Sequence, residues 1–278
     1  MTSRLTSLTR LPLILAALFT VAACSQDAPP PTPTTSAPSA SAPAATAPAP
    51  ASTADAVSPA VPAAPAGPIV PPSGPAPVAG TDYVEIPGGQ PFQPGTGKIE
   101  VAEAFGYTCP HCASFEPQVS AWADRLPADV EFVPVAAPFG GYWMPYAKAY
   151  YTAQAMGLAE KTHDAMFRAI HVERSLPVQP LPTEAQIAQF YARFGADPKQ
   201  FQSTMNSFAI NAKLKRAQQF LMASGVDSTP MLVVNGKYRV TGKTFDDSLR
   251  IAEHLIARER AERGGAAPAG DAEAPAGG

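Results

Sequence analysis

The sequence predicts an α/β fold: a central mixed sheet flanked by helices and interrupted by an inserted all-helical subdomain. Three observations carry that expectation. A buried-strand pattern at residues 98–105 runs directly into a helix start, and a second strand pattern follows at 130–136. After a long helical stretch, two short strand patterns meet at Asn235-Gly236.

The elements follow in chain order. Ile99, Val101, Glu103 and Phe105 alternate along one face of the first strand. The turn Gly106-Tyr107-Thr108 comes next, and Pro110 suits a first helical position, where its missing N–H would have had no intrahelical partner. That helix carries Phe115, Val119 and Trp122, with a kink expected at Pro117. Residues 142–225 read as helical. Thr183 with Gln186 forms a capping-box signature, Gly195 is a helix stop, and Asp197-Pro198 opens another helix expected to end near Gly225. Asn-Gly between 231–234 and 237–240 is a strong hairpin signal, and a last helix aligns Leu249, Ala252 and Ile256. A parallel strand–helix–strand unit followed by a hairpin and a helix is the thioredoxin arrangement, here with a helical insertion at about 142–225.

Composition sets the limits of the folding part. Of 33 prolines, 16 lie between Ser25 and Gly80, where Asp27 and Asp55 are the only charged residues and aromatic residues are absent. Such a stretch has too little apolar surface to build a core. The folded domain is therefore expected over 81–264, with 24–80 a disordered Pro/Ala-rich linker and 265–278 a disordered tail. A net charge of -3 without a Lys/Arg block argues against nucleic acid as a partner.

The N-terminus reads as an address. Arg4 and Arg10 precede an apolar run, residues 11–23, too short to span a bilayer, so 1–23 is expected to be a signal peptide. Val21-Ala22-Ala23-Cys24 resembles a bacterial lipobox, in which Cys24 would be acylated through its thiol. An unpaired thiol in an oxidising compartment would invite wrong pairing, and thioether acylation removes it. Several acyl chains also suffice for stable anchoring. The expected location is the periplasm, lipid-anchored to the inner or the outer membrane, with the linker as a spacer.

The chemistry lies in Cys109-Pro110-His111-Cys112 at a strand-to-helix junction. A helix N-terminus stabilises a thiolate through unpaired N–H groups and the macrodipole. Cys109 is therefore the expected attacking thiol and Cys112 the resolving one, with His111 favouring the reduced form. Glu103, six residues earlier on the strand, is a candidate buried acid that relays a proton to or from Cys112. A zinc half-site would need further ligands from His163, His171 or His254, and haem attachment would need His where Ala113 stands. No metal and no cofactor is expected. A structural disulfide is the remaining alternative. Pro230, which opens a strand, would be trans by default.

The segment from Glu103 to Cys112 resembles the active-site segment of the DsbA family of thiol:disulfide interchange proteins. The likeness extends in order through Phe115-Glu116-Pro117, residues 139–143 and 206–210, Thr229-Pro230, and residues 234–238. The resemblance implies a thioredoxin-like fold over about residues 98–263, with Cys109 as nucleophile, Cys112 as resolving thiol, Glu103 as the buried acid and Thr229-Pro230 as a cis-proline loop that pairs with substrate. Thr229 stands where some members carry Val, and the lipid anchor is a second departure. The implied activity is donation of a disulfide to reduced, unfolded exported proteins, with reoxidation by a DsbB-type quinone-linked membrane partner and a monomeric enzyme. Two rivals remain: a periplasmic reductase or isomerase on the same fold, and a tethered thiol-based metal-binding module.

Overall fold

The computed structural model describes residues 67–265; the signal peptide, Cys24, residues 25–66 and the tail beyond 265 lie outside the described residues. Five strands form one sheet in the order β1-β5-β4-β2-β3. At its centre are β2 (Ile99–Phe105), parallel to β3 (Val130–Ala136) on one side, and β4 (Met231–Val234), antiparallel to β2 on the other. β5 (Tyr238–Val240) folds back on β4 through Asn235 and Gly236, both at positive φ as a tight hairpin requires. Every residue of β2 is buried, including Glu100 and Glu103.

Helix α1 (Pro110–Ala123) crosses from β2 to β3 with Pro117 inside it, and α7 (Phe245–Gly265) packs beside it. Ile99 and Val101 join Phe115, Val119, Trp122, Ile251 and Leu255 in one core beneath these two helices. The inserted subdomain comprises α2 (Met144–Ala155), α3 (Ala159–His171), α4 (Glu184–Ala192), α5 (Pro198–Met205) and α6 (Phe208–Ala223). It covers the other face of the sheet, around Ala102, Ala104 and Val135. The capping box at Thr183 and Gln186 forms with both reciprocal bonds, and Asp197 caps α5.

Four features depart from the sequence reading. The helix expected from 198 to about 225 is two helices, because the Ser207 side chain accepts from the Ile210 N–H and restarts the chain as α6. β1 (Tyr83–Glu85), which has no counterpart in the sequence reading, pairs antiparallel with β5. Phe105 does not share a core with Ile99 and Val101; at the strand's end it packs edge-on against Tyr107, Tyr150 and His163. Finally, residues 67–80, expected within the disordered linker, lie against the domain. The Gly67 N–H bonds the Leu126 carbonyl at 3.0 Å, and Arg250 donates to the Pro75 carbonyl.

Candidate active site

β2 delivers the chain to the turn at Gly106, where a Cβ would sit 2.0 Å from the Trp143 ring and would force that ring to move. The Cys109 N–H bonds back to the Gly106 carbonyl at 3.0 Å, and Cys109 takes the N-cap position of α1 in extended conformation (φ -86, ψ 117). Pro110 occupies the first turn, so the donors left to face the cap belong to His111 and Cys112. Cys109 Sγ accepts from the Cys112 N–H at 3.3 Å, in the place where a capping oxygen ordinarily sits. It also lies 3.5 Å from the Thr229 carbonyl oxygen.

The two thiols, both free, are driven in opposite directions. A hydrogen bond from the Cys112 thiol, helped by Thr229 and by the N–H groups of Cys112 and His111, outweighs burial and lowers the Cys109 pKa to about 5. Cys112 is buried more deeply, at 1% exposure, and burial together with its hydrogen bond to Cys109 pushes its pKa far up. At pH 7 the pair therefore holds one thiolate, on Cys109.

Beneath the pair, Glu103 pairs in the sheet with Pro134 on β3 and Leu232 on β4 and is 1% exposed. Its Oε2 has no hydrogen-bond partner. Burial first, then the charges of Glu116 and Cys109, raise its pKa well above the carboxylate range. Glu103 is thus a carboxyl that favours its proton, set below a thiol that must lose one.

A second buried acid escaped the sequence reading. Glu116 on α1 is pushed upward by burial, yet its hydrogen bond and charge interaction with His163, and the Ser120 hydroxyl donating at 2.5 Å, outweigh that and hold it below its ordinary value. His163 Nε2 stands 3.3 Å from Glu116 Oε2, and its Nδ1 stands 2.9 Å from the Tyr107 hydroxyl. A signal for it existed: Cys112, Phe115, Glu116 and Val119 are spaced i, i+3, i+4, i+7, so Glu116 is a charge on the buried stripe of the helix.

On the outer side, His111 and Thr229, the neighbours of the cysteines, help line a cleft of about 600 Å³, together with Phe115, Pro230, Thr241 and Phe245. His111 and Pro110 are exposed at its edge, and the Thr229-Pro230 bond is cis. The structure thus brings Cys109, Pro110, His111, Thr229 and Pro230 together at one rim, with Cys112 and Glu103 buried behind them. The other histidines do not converge there. His163 faces Glu116, His171 bonds the Tyr107 carbonyl at 2.7 Å, and His254 reaches the Ser73 carbonyl at 3.2 Å.

An acidic, partly accessible sulfur beside a basic, buried one can accept and release a second sulfur reversibly. Residues 100–252 match the family of the DSBA-like thioredoxin domain. The thiol:disulfide interchange protein DsbA of Pseudomonas aeruginosa is 43% identical over 187 residues, 66% of this chain and 86% of the relative. That of Azotobacter vinelandii is 40% identical over 185 residues, 65% and 84% of the two chains. The crystal structure of the oxidoreductase DsbA from Xylella fastidiosa aligns with a TM-score of 0.65 at 48% identity, covering 66% of this chain and 98% of that one.

Proposed function

The chain belongs to the DsbA family of thiol:disulfide interchange proteins, and from that premise we propose that it oxidises reduced, unfolded exported proteins through a Cys109–Cys112 disulfide. It is a protein disulfide oxidoreductase working by thiol–disulfide exchange on substrate proteins, with a partner that restores its disulfide.

In the proposed cycle a client thiolate attacks Cys109 Sγ in the oxidised enzyme. The S–S bond breaks and its electron pair leaves on Cys112. Because that sulfur is strongly basic, it takes a proton, and Glu103, whose burial favours the protonated carboxyl, is the donor beneath it. A second client thiolate then attacks the client sulfur of the mixed disulfide, and Cys109 departs as a thiolate. The client is oxidised by two electrons and the enzyme is left with both thiols reduced.

The observation that carries the direction of flow is the acidic Cys109 thiol, whose anion is held first by the hydrogen bond from the Cys112 thiol and then by Thr229 and the N–H groups at the start of α1. Stabilising the reduced enzyme makes its disulfide the stronger oxidant, which favours a donor over a reductase or isomerase. Pro110 fixes the helix start, and His111 at the rim meets the client. The Thr229 backbone pairs with an extended client peptide in the cleft.

The setting is proposed on the sequence: a periplasmic monomer, cleaved after Ala23, held by lipid on Cys24 and reoxidised by a quinone-linked membrane protein of the DsbB type. The decisive experiment is a Cys112→Ala variant expressed in the native host. Mixed disulfides on Cys109 with exported clients and a membrane partner are expected, and their absence would overturn the oxidase reading. Equilibration with glutathione separates the reductase, which would show a strongly reducing potential. Mass spectrometry of the mature N-terminus tests acylation of Cys24.

A further inference from the structure

The stretch 67–80 contains prolines at 68, 71, 72, 75 and 77 and has no charged or aromatic side chain. It has no core of its own, and most of it is exposed. Its backbone is nevertheless tied down at both ends and between. At its C-terminal end, where the chain enters β1, the Thr241 N–H bonds the Asp82 carbonyl at 2.9 Å and the Thr241 hydroxyl bonds the Thr81 carbonyl at 2.9 Å. Thr241 and Val240 also line the 600 Å³ cleft beside the cysteines. The chain therefore emerges from β1 at the rim of that cleft.

It does not leave the domain there. Moving toward the N-terminus, Arg250 donates to the Pro75 carbonyl and His254 Nε2 lies 3.2 Å from the Ser73 carbonyl. Residues 67–73 then border a second cleft with Trp122, Ile256 and Arg260. Gly67 forms a bridge to Pro127, beyond the C-terminal end of α1. The contact is close: a Cβ on Gly67 would meet the Arg125 carbonyl oxygen at 2.0 Å. Contacts with 241, 250, 254 and 256–260 in that order mean that the segment runs antiparallel to α7. At about 1.5 Å per helical residue, the distance from the start of α7 to Arg260 is roughly 20 Å. Cys109 caps the opposite end of α1 from the end that meets Gly67.

We propose that residues 67–80 are a strap that carries the N-terminal chain away from the cleft rim, along α7 and toward the pole opposite Cys109. Its purpose follows from what that chain is. The sequence of residues 25–66 is rich in Pro and Ala, a composition that favours extended peptide in general, and an extended peptide is what the cleft is read to bind. Released at the rim, it would compete with clients at an effective concentration in the millimolar range. Docked along α7, the strap removes that competitor. The prolines suit the task, since a preformed extended conformation leaves little freedom to lose on docking.

The inference rests on the reading of the cleft as the client site, so the test has one arm independent of activity. Hydrogen exchange on the full chain is expected to show the Gly67 amide protected, with protection lost in a Gly67→Val, Arg250→Ala double variant. Oxidation of a dithiol peptide by that variant is expected to show KM raised about two- to threefold with kcat unchanged. Deleting residues 25–66 from the same variant should restore the wild-type KM. Exchange at the free-chain rate in the wild type overturns the strap. An unchanged KM, or one that the deletion fails to restore, overturns its role in clearing the cleft. If the protein oxidised no peptide at all, the client-site reading would fall and the exchange arm would still decide the docking.

Discussion

The two sides of the first turn of α1 make opposite environments from the same backbone. Toward the cleft, Cys109 caps the helix and receives hydrogen bonds, so its sulfur prefers the anion. Toward the interior, burial outweighs what Thr229 offers Cys112 and leaves Glu103 with an unpartnered oxygen, so both prefer their protons. The difference teaches that the motif spacing alone does not divide the labour between two cysteines. The division comes from which one sits at the cap and which one faces the sheet.

The comparison breaks most sharply at the cap. Cys109→Ser keeps an N-cap acceptor but cannot form a disulfide. Oxidation of a dithiol peptide is expected to fall by at least about a thousandfold, while the fold survives. Cys112→Ala should instead retain attack and accumulate mixed disulfide. Equal behaviour of the two variants in a trapping assay would erase the proposed difference between the sides.

Acidity gives the next largest effect. Because the folded Cys109 pKa is depressed to about 5, its thiolate stabilises the reduced fold in full only above the ordinary thiol pKa, and that stabilisation is lost as pH falls through 5. At pH 7 it amounts to about 3 kcal/mol, and the oxidised form, having no thiolate, lacks it. The excess stability of the reduced over the oxidised protein should therefore shrink by about that amount between pH 7 and pH 4. Denaturant unfolding of both forms checks this, and a gap that does not change with pH would contradict an anionic Cys109.

On the inner side, Glu103→Gln removes the proposed donor while leaving a polar group of the same shape. Exchange is expected to slow by about ten- to a hundredfold. Stability at pH 7 should not fall, because the carboxyl has an unpartnered oxygen to lose. Unchanged rate and unchanged redox potential together would end the relay role.

Much of the outer side is legible in the amino-acid sequence, because its signals are local. A strand pattern, three turn residues, Pro110 and the cysteine spacing fall within about fifteen residues and place Cys109 at a helix start. Asn235-Gly236 likewise announces its hairpin, and Thr183 with Gln186 announces its helix. What stays hidden depends on distant partners. β1 is three residues long, and its register is set by β5, more than 150 positions later. The strap reads as linker by composition, because nothing within it points to Leu126 or Arg250. The Glu116–His163 pair joins α1 to α3 across the sheet-to-insertion boundary, and only the misplaced charge on the apolar stripe hints at it.

That pair offers the finest test of the contrast, since there, one turn from Cys112, a buried charge is compensated. His163→Phe would leave Glu116 with only the Ser120 hydroxyl, in a site whose burial already works against the anion. A loss of about 1–2 kcal/mol at pH 7 is expected, smaller than for a fully sealed ion pair because a cleft of about 520 Å³ opens onto both residues. The depressed Glu116 pKa contributes stability above the ordinary carboxylate pKa and loses it as pH falls through the folded value. The difference between wild type and variant should therefore fade in acid. Adding Glu116→Gln to His163→Phe should recover part of the loss, because the uncompensated charge is gone. Additive losses in that double variant, measured by urea unfolding at pH 7, would show that the two side chains do not hold each other.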